Sequence, residues 1–104
     1  MQYQMFVFCP DDEAVINKII EAASTAGAGV VGGYTHCAFV TKGISQWKSE
    51  PGTHPVQGKI GELLKVNGAK IEMPCPGEKR RAIEKAIRKV HPYEEPDIQF
   101  IKAG

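Results

Sequence analysis

Val90-His91-Pro92-Tyr93-Glu94-Glu95-Pro96-Asp97-Ile98 is the stretch that decides the fold. Each proline fixes its own φ and pushes the residue before it toward an extended conformation. The segment therefore stops the basic helical stretch ahead of it and launches a terminal strand from Asp97 to Lys102. On that reading the hinge is a helix-to-strand turn, with Tyr93 at least half buried in it.

Working back from the hinge, Gly77 to Val90 is a helix with Ala82, Ile83, Ala86, Ile87 and Val90 as its apolar stripe. Before it, Glu62 to Cys75 reads either as one long strand or as a strand pair, since Asn67-Gly68 is a strong type I′ hairpin signal. Near the N-terminus, Gln4 to Cys9 is a strand rich in aromatic and β-branched residues, ended by Pro10. Asp11-Asp12-Glu13 places negative charge at the start of a helix, with Asp11 as the candidate cap. Val15, Ile19, Ala22 and Ala26 recur at helical spacing, and Gly27-Ala28-Gly29 closes that helix. Val30 to Thr41 is expected to be a second strand region. Gly43 to Gly61 is expected to be an irregular segment, with a short strand around Ile44 to Trp47.

The resulting order, β-α-β-β-α-β, predicts an α+β, ferredoxin-like (split βαβ) sheet with two helices on one face. Residues 1–104 form a single domain, a usual size for one core. The first strand is apolar on both sides, and Ile98, Phe100 and Ile101 make the last strand so too. An antiparallel sheet facing water should alternate. The pattern therefore predicts that the open face is covered by other copies of the chain.

A formal charge of +1 gives no bulk electrostatic reason to expect nucleic acid or an anionic membrane as partner. The apolar run Met5 to Cys9 is too short for a signal peptide or a membrane span. Cys9, Cys37 and Cys75 are widely spaced and odd in number, which points to reduced thiols in the cytoplasm. Lys79, Arg80, Arg81, Lys85, Arg88 and Lys89 form a basic helix face, interrupted by Glu78 and Glu84 and read as solvated.

The candidate ligands for a divalent metal are His36, Cys37, His91 and Glu94. Neighbours on a strand point to opposite faces, so His36 and Cys37 are poorly placed to serve one ion. His91 with Glu94 or Glu95 could form an acid/base pair, but no nucleophile or oxyanion loop accompanies it. The long segment carries Trp47, His54 and Lys59, which offer a stacking surface, a titratable ring and a cation. Together with Gly32, Gly33 and His36 these are the candidate ligand-binding residues.

Three separated motifs, Gly32-Gly33-Tyr34-Thr35-His36-Cys37-Ala38-Phe39, Gly52-Thr53-His54-Pro55-Val56-Gln57-Gly58-Lys59-Ile60-Gly61 and His91-Pro92-Tyr93-Glu94-Glu95-Pro96, look like the insert domain of the dinuclear-metal-centre (NGG-one-interacting-factor-three-like) family. That insert belongs to a wider group resembling the trimeric PII signalling proteins and the CutA divalent-cation-tolerance proteins. Ser45 and Trp47 depart from the Gly and Phe expected there. Full-length members flank the insert with two halves that supply a two-metal site, and the chain has no counterpart of those halves. The resemblance implies a stand-alone PII/CutA-like module. Such a module would be a trimer holding a ligand or protein partner at its subunit clefts. The alternatives are a CutA-type protein of metal tolerance and an enzyme using the His91/Glu94 pair.

Overall fold

The computed structural model describes residues 1–103. Its elements are β1 (Gln2–Pro10), α1 (Glu13–Thr25), β2 (Phe39–Lys48), β3 (Leu63–Pro76), a short 3-10 turn (Gly77–Lys79), α2 (Arg80–Val90) and β4 (Asp97–Ala103). The sheet order is β2-β3-β1-β4, and every pairing is antiparallel. This is the split βαβ arrangement that the element order predicts.

Side-chain alternation builds the core. Met5, Val7 and Cys9 of β1 pair with Met73, Ile71 and Ala69 of β3, and all six are buried. Ile16, Ile19 and Ala23 of α1 and Ile83 and Ile87 of α2 close over them. Burial of this apolar surface is the main stabilising term. α1 starts at Asp12, whose carboxylate accepts from the N–H groups of Ala14 (2.9 Å) and Val15 (3.2 Å). The cap is thus one residue later than expected, because Pro10 still belongs to β1 and a residue is needed to turn. Asp11 instead pairs with Lys42 of β2 at 2.6 Å.

One expectation shifts and one alternative is decided. β2 begins at Phe39 rather than Val30. The intervening residues form a finger in which Gly29 (φ 77), Gly32 (φ 56) and His36 (φ 60) all take left-handed backbone. Gly29 roots that finger: its N–H donates to Pro74 O and its carbonyl accepts from Cys37 N–H, both at 2.8 Å. Of the two readings of Glu62 to Cys75, the single long strand holds, and Asn67-Gly68 makes no hairpin. β3 runs unbroken through it, and neither residue has the positive φ that a type I′ turn requires. Gly68 pairs with Pro10 on one side and Gly43 on the other, so two tertiary partners override the local turn preference.

β1 stops at that rung, while β2 and β3 continue together through Ile44–Lys48 and Leu63–Asn67. The result is a two-stranded arm outside the four-stranded body, in a molecule 46 × 24 × 23 Å across. On the sheet face away from the helices, one rung reads Phe39, Glu72, Phe6, Gln99 and the next Thr41, Lys70, Phe8, Asp97. Polar residues thus separate the apolar ones, and the Lys70 ammonium lies 4.4 Å over the Phe6 ring. Phe39 and Ile101 remain 68% and 53% exposed.

Candidate functional site

Two separated stretches meet at the end of the sheet where β1 stops. The loop that follows Lys48 is folded on itself. Thr53 donates to Glu50 O through both N–H (3.2 Å) and hydroxyl (2.7 Å), and Gly61 N–H donates to Ser49 O at 2.7 Å. Its far side reaches the 91–96 hinge. The Glu94 carboxylate accepts from His54 N–H at 3.0 Å and contacts His54 Nδ1 at 3.2 Å. These contacts hold Glu94 below the usual carboxylate range, the backbone N–H contributing most.

The hinge itself is anchored by His91, which is 8% exposed. Its Nε2 lies 2.8 Å from Phe8 O, and its Nδ1 accepts from Tyr93 N–H at 3.1 Å. This pattern requires the neutral ring with its proton on Nε2. Burial lowers the His91 pKa, against the bond to Phe8 O, in keeping with that state. The Tyr93 ring packs on His91 (5.2 Å between centroids) and edge-on to Trp47 (5.4 Å, 62°). Its hydroxyl is buried without a protein hydrogen-bond partner, and burial raises its pKa.

Between loop and hinge lies a cavity of about 520 Å³. Phe8, Trp47 and Tyr93 supply aromatic wall, Ile44, Pro55 and Val56 aliphatic wall, and Glu94, Glu95, Asp97 and Lys48 the charges. The volume is that of a small-molecule site, and apolar walls with a few polar groups are the usual make-up of one.

Of the six candidate ligand residues, the structure brings Trp47 into this wall and His54 to its edge through Glu94. Lys59 is exposed and lies outside the lining, and Gly32 and Gly33 sit at the exposed tip of the finger. His36 turns toward α1, with Nε2 2.9 Å from Glu21 and Nδ1 3.0 Å from Thr35 Oγ1. The four candidate metal donors are not brought together. His36 contacts Glu21, Glu94 contacts His54, both nitrogens of His91 are engaged within the fold, and Cys37 Sγ is 3.9 Å from Thr35 O. Among the described residues no three His, Cys, Asp or Glu side chains form a metal-holding group. His91 is likewise turned inward, away from the acid/base role considered for it with Glu94. The sequence points to Tyr93 only as part of the turn and a subunit contact and to Glu95 only as an acid/base partner of His91, and it does not single out Asp97 or Phe8 as cleft residues. The crowding of aromatic and acidic residues in His91–Asp97 was the available signal.

No family model matches the chain. It is 39% identical over 94 residues to the GTP cyclohydrolase 1 type 2 homolog of Halalkalibacterium halodurans, covering 90% of the chain and 25% of that protein. It is 42% identical over 78 residues to the protein of the same name from Bacillus subtilis, covering 75% of the chain and 21% of that protein. The chain therefore spans about a quarter of the length of the curated relatives it matches. Among solved structures, a Bacillus cereus protein related to NIF3 superposes with TM-score 0.82 and 29% identity, covering 96% of the chain and 25% of that protein. The periplasmic divalent cation tolerance protein CutA of Archaeoglobus fulgidus superposes with TM-score 0.73 at 13% identity, covering 99% of the chain and 84% of that protein. The last likeness is one of fold alone.

Proposed function

The chain being the counterpart of the PII/CutA-like domain of the NIF3-related proteins, we propose that it is a self-associating binding module. Three copies cover one another's exposed apolar surface, and the cleft between loop and hinge holds a small molecule or a segment of a protein partner. The carrying observation is the arm. Ile44, Val56, Ile60 and Leu63, on the arm and its loop, are all more than half exposed. The arm extends past the last rung of β1, so no core of its own supports those residues. Several large apolar side chains left exposed on one arm fit an interaction surface. The outer edges of β2 and β4 are also unpaired, and edges of this kind invite pairing or cover.

Among the described residues no helix is long and apolar enough to cross a membrane. All three cysteines are free thiols, which accords with a reducing, cytoplasmic setting. Light scattering at micromolar concentration tests the reading. The expected mass is about three times that of the chain, and a clean monomer overturns it.

A further inference from the structure

We propose that the cleft beside Trp47 and Tyr93 takes a small organic cation, with its flat apolar part against the aromatic rings and its charge toward the carboxylates. The inference rests on the cleft being a ligand site and names the chemical class of what enters it. Shape comes first. A cavity of about 520 Å³ walled by Phe8, Trp47 and Tyr93 accommodates a planar group the size of one ring. Ring faces attract cations and disfavour anions, because their quadrupole presents negative charge.

The charged groups select the same sign. Glu94, Glu95 and Asp97 line the cleft against a single ammonium, that of Lys48. Glu94 is already occupied by His54, and Asp97 accepts from the Gln99 side chain at 3.0 Å. Glu95 makes no side-chain hydrogen bond or salt bridge among the described residues. Lys59, which would have favoured an anion, lies outside the lining. An amidinium or guanidinium would donate to the Glu95 and Asp97 oxygens, since an ionised carboxylate can accept but not donate. An anion would meet a net negative, aromatic-walled pocket with one lysine to offset it.

Trp47 is the only tryptophan in the chain, so intrinsic fluorescence reports on the cleft wall directly. Three ligands of one shape separate charge from fit: benzamidinium, neutral benzamide and benzoate. The expected result is a saturable change with benzamidinium in the millimolar range, with benzamide weaker and benzoate without effect. In Glu95→Gln/Asp97→Asn, benzamidinium binding should weaken about tenfold or more, with benzamide unchanged. Circular dichroism confirms the fold of the variant. The comparison of the three ligands on the unmodified chain stands even if the variant fails to fold. Benzoate binding as tightly as benzamidinium, or no saturable response to benzamidinium, overturns the inference. So does a double variant that loses assembly while the parent ignores benzamidinium, since those carboxylates would then serve another copy's basic side chain. Light scattering on the same samples keeps the two readings apart. A trimer that ignores the cation refutes this inference alone, whereas a monomer that binds it upholds this inference and refutes the trimer.

Discussion

Glu94 and His54, forty positions apart in sequence, are joined twice, once through the His54 backbone N–H at 3.0 Å and once through the ring at 3.2 Å. The pair fastens the long loop to the hinge. Because the Glu94 pKa is depressed from 4.5, its contribution is complete above that value and is lost as pH falls through the lower, folded one. The protection of the His54 amide, the intrinsic exchange rate at each pH divided by the observed one, should accordingly be high near neutrality and fall in acid. Glu94→Gln should exchange faster at neutral pH and show a flattened acid dependence. Identical exchange in the two proteins would show that the loop is held by something else.

His91 carries the opposite charge logic with the same direction in pH. Its folded pKa lies below 6.5, mainly through burial. Above about pH 6.5 the ring is neutral in both folded and unfolded chains, and its stabilising effect is complete. As pH falls from there through the folded value, the unfolded chain takes up the proton more readily and stability declines. Urea unfolding at several pH values from neutrality downward should show this decline, and His91→Ala should abolish that component. The variant should also cost about 2–4 kcal/mol at neutral pH, since it leaves Phe8 O and Tyr93 N–H without their partner.

Tyr93 separates packing from hydrogen bonding. Its ring touches both Trp47 and His91, whereas its buried hydroxyl has no protein partner. Tyr93→Ala should lower stability by about 2–4 kcal/mol and shift the Trp47 emission. Tyr93→Phe should be neutral or slightly stabilising, because it removes a desolvated hydroxyl that gains nothing in return. A large loss in the Phe variant would mean that the hydroxyl has a partner in solution.

The arm offers a test of assembly that spares the core. Ile44 and Leu63 are 68% and 55% exposed in one copy, so Ile44→Glu/Leu63→Glu should leave the helical and sheet signals intact. In the proposed oligomer those positions are covered, and the same change should drive the mass toward that of the single chain. An unaltered mass would place the contact elsewhere on the molecule.

Most of the fold was legible because the periodic segments are strong. Ile83 and Ile87 at helical spacing, and Met5, Val7 and Cys9 in alternation, are all buried as their patterns require. The points left open or misplaced lie where long-range pairing or special backbone competes with local preference. Asn67-Gly68 carries a turn signal, but β3 lies between two strands and stays extended. The start of β2 was placed too early because Val30 and Val31 favour strands, while Gly29, Gly32 and His36 take a backbone no strand can. For the site, the long loop and the hinge were each singled out. Their meeting was not readable, since nothing local to His54 specifies Glu94 forty residues on.

Gly43 stands opposite Gly68 on the rung where the arm leaves the body. Cross-strand side-chain contacts stiffen a sheet, and this rung has none to offer between those two strands. What ties the arm to the body therefore lies beside that rung: Asp11 reaches Asn67 and Lys42 across the joint, and farther out Trp47 meets Tyr93 and His54 meets Glu94. Loosening the hinge should therefore loosen the arm.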